Sequence, residues 1–70
     1  MADLQEMRLV IKNLKQDLAD GDQRELARRL ATHPPRISDA LAGLVYNVEF
    51  LKRLEAEIRN IIAERQAVNS

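Results

Sequence analysis

The chain has 70 residues, with 11 basic and 11 acidic side chains and no cysteine. This length allows one small domain, and a chain of this size buries only about 60% of its unfolded surface, so pairing with a second copy is one way to gain stability. The absence of cysteine excludes disulfides and cysteine-ligated zinc. No apolar run approaches the roughly 20 residues that span a bilayer, and acidic residues stand where a signal peptide would be basic, which predicts a cytoplasmic protein without membrane contact.

The formal net charge is zero, which argues against indiscriminate binding to polyanions. Residues 22–43 carry four basic and three acidic side chains, whereas residues 1–21 carry three and four, and residues 44–70 carry four of each. The basic excess in the middle segment is a single charge. Any affinity for DNA must therefore come from individually placed contacts.

The first part of the chain has the apolar spacing of a long amphipathic helix over residues 3–20. Asp3, followed three residues later by Glu6, is typical of a helix start. The apolar side chains recur at alternating steps of three and four residues: Leu4, Met7, Ile11, Leu14 and Leu18.

Two shorter helices are predicted in the middle of the chain, separated by a break too short for an ordinary loop. Asp22 with Glu25 indicates a capping box at the start of the first, and Pro34-Pro35 marks the start of the second because proline fits the first helical turn. Gly43 ends the second helix, since glycine readily adopts a positive φ. Two helices joined in this way are the outline of a helix-turn-helix. Their predicted spans are residues 22–31 and 35–43.

A second long helix is predicted over residues 47–66, with Asn47 as its N-cap. Beyond it, residues 67–70 have no apolar periodicity and are predicted to form a disordered tail. The sequence therefore predicts an all-α fold, a single four-helix domain over residues 1–66. The apolar stripe of the last helix consists of Leu51, Leu54, Ile58 and Ile61, widened by Phe50 and Ile62.

Residues 22–43 also have small and apolar side chains at characteristic positions. Ala31 stands at the turn, followed by Thr32. The pattern resembles the helix-turn-helix of the phage-repressor (Cro/repressor-like) family, which commonly has glycine at the first of these positions and an apolar residue at the second. The run that ends at Gly43 is also similar to the recognition helix of lac-repressor-type proteins. The residues that carry the resemblance are Leu26, Ala27, Leu30, Ile37, Ser38 and Gly43.

The resemblance implies that the helix over residues 35–43 enters the major groove of double-stranded DNA. Its face opposite Ile37 is predicted to contact bases through Pro35, Arg36, Ser38 and Asp39. An arginine can donate to guanine and an aspartate can accept from the cytosine amino group. The alternative is an Arg36–Asp39 ion pair on a solvated helix face.

Phosphate contacts are predicted on both sides of this helix. The family commonly places a glutamine at the position of Gln23 against a phosphate, and Arg24 lies beside it. Thr32 and His33 flank the turn, where helix capping is the competing role. The remaining predicted phosphate contacts, which a cap and a hydrophobic staple also explain, are Tyr46 and Asn47.

The sequence offers no nucleophile with a nearby base and no glycine-rich phosphate loop, so no catalytic activity, cofactor, metal or small-molecule ligand is expected. The leading hypothesis is a small DNA-binding transcriptional regulator. The competing hypothesis is a helical protein-interaction module that does not bind nucleic acid. A homodimer through the helix over residues 47–66 is a further expectation, because its apolar surface exceeds what a short helical pair covers.

Overall fold

A computed structural model describes residues 4–69 of the chain, with side chains described through residue 67. The fold is all-α, as predicted, with four helices in the described residues. Helix α1 packs against α4, α2 packs against α3, and both α2 and α3 contact the long pair. The helices span Leu4–Lys15 (α1), Asp22–Arg29 (α2), Pro34–Leu41 (α3) and Val48–Asn69 (α4).

A single apolar core joins the four helices. Leu26 of α2, Ile37 of α3 and Leu54 of α4 have no solvent exposure. Burying a Leu or Ile side chain contributes about 1.5–3 kcal/mol, whereas an exposed ion pair contributes about 0–1 kcal/mol. Core burial therefore holds the short helices in place. The other core residues are Met7, Ile11, Ala27, Leu30, Ala40, Leu41, Val45, Leu51, Ile58 and Ile61.

Helix α1 is shorter than predicted, because it ends at Lys15 rather than near residue 20. The backbone N–H groups of residues 16–18 bond to carbonyls three residues earlier, which tightens and then ends the helix. The N–H of Ala19 donates to the carboxylate of Asp22 instead of to a helix carbonyl. The predicted start at Asp3 lies outside the described residues.

Helix α2 ends in a left-handed turn at Ala31, which has a φ of 56°. The N–H of Ala31 donates to the carbonyl of Arg28, and the N–H of Thr32 donates to the carbonyl of Ala27. This pair of bonds is the Schellman motif, which satisfies the last carbonyls of a helix. Alanine thus takes the conformation for which glycine is best suited, and the tight turn between the helices forms without the glycine.

Helix α3 begins with Pro34 and Pro35, one residue earlier than predicted. Proline has no N–H, so two of the donors that a helix N-terminus leaves unpaired do not exist here. The C-terminal end repeats the Schellman motif at Gly43, whose φ is 84°. There the N–H groups of Gly43 and Leu44 donate to the carbonyls of Ala40 and Asp39. Both ends of α3 are thereby fixed by backbone geometry.

Helix α4 begins as predicted, because the side-chain Oδ1 of Asn47 accepts the N–H of Phe50 at 3.0 Å. The prediction of a disordered tail is wrong for residues 67–69, since α4 continues to Asn69. Ala67 is a good helix former, and no glycine or proline stands at residues 67–69 to end the helix. Residue 70 lies outside the described residues.

Replacing Ala31 with glycine should stabilise the domain. A left-handed conformation costs a non-glycine residue about 1–2 kcal/mol, and glycine gives back about 0.4–1 kcal/mol through the greater entropy of its unfolded chain. The expected net gain of about 0.5–1 kcal/mol corresponds to a rise in Tm of roughly 3–6 °C for a domain of this size. Thermal unfolding followed by circular dichroism measures it.

The matched control is Ala56→Gly, at an exposed position inside α4. Glycine in a helix interior costs up to about 1 kcal/mol relative to alanine, so this variant should melt at a lower temperature. Equal losses of Tm in both variants would contradict the left-handed turn.

Candidate nucleic-acid interface

Helix α3 is buried on one side only. Ile37, Ala40 and Leu41 face the core. The opposite side is exposed to solvent and is not covered by the other helices. The exposed residues are Pro35, Ser38, Asp39 and Ala42, and they include three of the four predicted base contacts. This exposed side is called the α3 outer face below.

Arg36, the fourth predicted base contact, lies at the edge of this face rather than on it. It is half-buried, and its guanidinium carbon lies 4.7 Å from the centroid of the Phe50 ring. A cation–π contact at such a site contributes about 0.5–1 kcal/mol. None of the ion pairs in the described part of the chain joins Arg36 to Asp39. Arg36 is therefore held toward α4, beside the outer face.

The N-terminus of α2 is open to solvent beside Pro34. Gly21 is the N-cap with a φ of 92°, and no side chain caps the helix. The predicted capping box is therefore wrong, because the carboxylate of Asp22 points back to the N–H of Ala19. Within the described residues, the backbone N–H groups of Gln23 and Arg24 have no acceptor. Two donors at the positive end of the helix dipole are thus available to an anion.

Arg65 of α4 fixes this N-terminus. One guanidinium nitrogen donates to the carboxylate of Asp22 at 2.6 Å, and the other donates to the carbonyl of Asp17 at 2.9 Å. Burial alone would raise the pKa of Asp22, but the bonds from Ala19 and Arg65 lower it below its ordinary value of 3.8. Arg65 thus ties the segment between α1 and α2 to the last helix.

The arginines of α2 have different roles. Arg28 donates to Glu25 in the same helix, and the bond lowers the pKa of that carboxyl. Arg29 donates to both carboxylate oxygens of Glu64 at 2.9 and 3.0 Å, which ties α2 to α4. Arg24 is exposed and makes no ion pair within the described residues. Of the three, Arg24 best keeps its charge for an external partner.

The turn between α2 and α3 exposes polar side chains. His33 is the N-cap of α3 by position, yet its side chain makes no capping bond. Thr32 is half-buried beside it. Since Pro34 and Pro35 have no N–H, a phosphate near this turn would be bound by side chains rather than by the first amides of α3.

Tyr46 and Asn47 follow α3 and are both exposed. The Oδ1 of Asn47 is occupied by the cap of α4, so only its side-chain amide N–H groups remain to donate. The ring of Tyr46 lies against Arg8 of α1, whose guanidinium carbon is 5.1 Å from the ring centroid. Arg8 thus lies against one of the predicted phosphate contacts.

Sequence reasoning did not assign roles to Arg8 and Arg65. Arg65 follows Leu54, Ile58 and Ile61 at the same alternating steps, so it occupies the core-facing stripe of α4. A charge in that register indicates a partner, and this signal was available. Nothing in the sequence places Arg8 beside Tyr46, which is 38 positions away along the chain.

The apolar surplus of α4 is smaller than the sequence indicated. Leu51, Leu54 and Ile58 are fully buried within the domain. Phe50 and Ile62 are half-buried and pack against this core. They are twelve residues apart, which puts them about 120° apart around the helix and about 18 Å apart along it. These two residues therefore do not form one continuous patch for a second copy.

No family model, curated protein or solved structure matches this chain. Within the described residues, no helix has both the length and the apolar character needed to cross a bilayer. The same residues contain no group of three or more His, Cys, Asp or Glu side chains that could hold a metal ion.

Replacing Asp22 with asparagine should destabilise the domain in a pH-dependent way. Because folding lowers the pKa of Asp22, its charge stabilises the fold above pH 3.8, and this contribution is lost as the pH falls through the lower, folded-state pKa. Near neutral pH the variant should lose about 1 kcal/mol, the upper value for a partly exposed ion pair. Urea unfolding at several pH values measures the difference, which should shrink in acid.

Asp20→Asn is the control, since it makes the same change at an exposed position two residues earlier. A surface substitution of this kind should change the unfolding free energy by less than about 0.5 kcal/mol. A difference between wild type and Asp22→Asn that stays constant from neutral to acid pH would contradict the role of the carboxylate charge.

Proposed function

We propose that this protein binds double-stranded DNA with sequence preference, with α3 in the major groove, and acts as a small transcriptional regulator. The observation that most directly supports this proposal is the α3 outer face. The helix is anchored by its buried side and exposes Ser38 and Asp39 on the other. A helix in the major groove reads bases through hydrogen-bonding side chains on such a face. Serine and aspartate supply a donor and acceptors there.

The neighbouring surface supports the proposal. The open N-terminus of α2 offers the N–H groups of Gln23 and Arg24, and the side chain of Arg24 adds a positive charge. Contacts of this kind to phosphates fix a protein's register on the duplex without reading sequence. Thr32 and His33 are the further candidates for the same strand. The bases would then be read by residues between the flanking phosphate contacts.

The zero net charge is compatible with this role. Arg28, Arg29 and Arg65 are neutralised by carboxylates of the same chain. Arg24 and Arg36 make no ion pair within the described residues, so their positive charges remain available to an external partner. We therefore expect modest affinity for arbitrary DNA and a larger preference for a matched site.

The test is fluorescence anisotropy of a labelled duplex, first with random sequence at about 50 mM salt, where phosphate contacts are strongest. A selection of bound sequences from a random pool then supplies a preferred site. DNA binding requires an affinity that falls as salt rises and a measurable preference for the selected site. A folded protein that binds neither duplex would contradict the proposal and favour the protein-interaction module.

Replacing Arg36 with alanine should relax the preference at one base pair by about 1–3 kcal/mol, the usual worth of a bidentate arginine–guanine pair. Phe50→Leu keeps the charge of Arg36 but removes the ring that holds it at the edge of the α3 outer face, so we expect a change at the same base pair that is smaller than the loss in Arg36→Ala. Competition with single-base variants of the selected site measures both effects.

The control is Lys52→Ala. Lys52 follows Phe50 by two residues, which puts it about 200° around α4 from that ring, so the variant removes one charge from the opposite side of the helix. It should leave the base preference unchanged. If Arg36→Ala instead weakens binding to all sequences equally, Arg36 is a phosphate contact and does not read a base.

A homodimer through α4 stays a prediction. Two copies would present two recognition helices to half-sites about 10 base pairs apart, and the second contact would multiply a weak half-site affinity. Sedimentation velocity at several protein concentrations, with and without the selected duplex, decides between one and two copies.

A further inference from the structure

A groove of about 760 Å³ runs between α1 and the C-terminal end of α3. Its α1 side carries three cations, Arg8, Lys12 and Lys15. They are spaced by four and three residues, so they lie on one side of the helix and span about 10 Å along its axis. The other residues that line the groove are Gln5, Leu9, Gln16, Leu41, Ala42 and Gly43.

Of the described residues that line this groove, none carries a carboxylate. The chain has equal numbers of acidic and basic side chains. A groove lined by three cations and by no described acidic residue therefore shows that the charges are unevenly distributed over the surface. Lys12 and Lys15 are exposed and make no ion pair within the described residues. The acidic side chains that neutralise arginines lie instead on α2 and α4.

Arg8 is positioned within this groove. Its guanidinium lies against the Tyr46 ring, and a Cβ built on Gly43 would lie 3.0 Å from one of its terminal nitrogens. Its Nε is buried and has no hydrogen-bond partner among the described residues. Leaving a buried donor unsatisfied costs about 1–3 kcal/mol, more when the group is charged. The side chain of Arg8 is half-buried and lines the groove, so its terminal nitrogens, rather than the buried Nε, are the donors left for an external anion.

The groove is continuous with the α3 outer face. Ala42 belongs to both, because it is exposed on that face and also lines the groove. Tyr46, which holds Arg8, stands just beyond the end of α3. A polyanion that contacts the outer face would therefore reach the groove without a change in the fold. This continuity favours a duplex over a separate acidic peptide.

We propose that the groove binds the sugar-phosphate backbone of the DNA beside the recognition helix, with Arg8, Lys12 and Lys15 as its phosphate contacts. This inference rests on the proposed function and extends it. The α1 cations would supply much of the salt-dependent affinity without reading bases, and α3 would supply the preference. The basic residues that matter most for affinity would then lie outside the segment from residue 22 to residue 43.

The test is the double variant Lys12→Ala/Lys15→Ala, measured by anisotropy on the selected duplex and on random duplex over a range of salt. Each phosphate contact contributes about 0.9 to the slope of log K against log salt, so the slope should fall by about 1.8 on both duplexes. The same relation gives a loss of affinity of up to roughly 60-fold at 0.1 M salt. The ratio of the two affinities should stay unchanged.

The matched control is Lys52→Ala/Arg53→Ala, which removes two exposed charges from α4. It should change the slope by much less. Circular dichroism melting verifies that both double variants remain folded. As a second probe, Arg8→Gln should reduce the slope further in the background of Lys12→Ala/Lys15→Ala.

The outcomes separate this inference from the proposed function. If the wild-type protein binds DNA but the α1 double variant keeps the full slope, the groove is not a phosphate site and the function stands. Equal losses in the α1 and α4 double variants would show a general charge effect and would also overturn the groove. If the folded wild type does not bind DNA at all, the function and the inference fail together.

Discussion

Helices α2 and α3 have eight residues each, and isolated helices shorter than about 12–15 residues are marginal in water. Their stability must come from tertiary packing, which the full burial of Leu26 and Ile37 supplies. The long helices α1 and α4 provide the surface on which these side chains are buried. The exposed side of α3 can be polar because its other side is anchored so completely. Stability and the candidate interface thus occupy opposite sides of the same eight residues.

Much of this arrangement could be predicted from the sequence because it depends on local rules. Apolar spacing gave four helices, the two prolines marked the start of α3, Gly43 marked its end, and Asn47 marked the cap of α4. The same spacing separates the buried and exposed sides of α3, so Pro35, Ser38 and Asp39 lie where expected. These signals act within one helical turn and need no knowledge of distant contacts.

The placements that the structure corrects depend on contacts between distant parts of the chain. Asp22 was expected to cap α2, but Arg65, 43 positions later, draws its carboxylate toward the preceding turn. Arg36 was expected on the outer face, but Phe50 offers a ring that holds its guanidinium at the edge. In both cases, a local rule competed with a partner whose position is set only by packing. The spacing around Asp22 and Arg36 does not reveal which of the two prevails, and the register of Arg65 indicates only that it needs a partner, not which one.

The distribution of charge over the surface likewise cannot be predicted from counts along the sequence. Counting by segment placed the basic excess between residues 22 and 43, yet Arg28 and Arg29 are paired there with glutamates of α2 and α4. The segment from residue 1 to residue 21 has a net negative count, but its cations lie together along a groove, and none of the described residues that line it carries a carboxylate. Coulomb interactions are screened within about 10 Å at 0.1 M salt, so a phosphate responds to this local set and not to the total. A chain of zero net charge can therefore have a surface suited to a polyanion, provided that its acidic side chains are paired elsewhere.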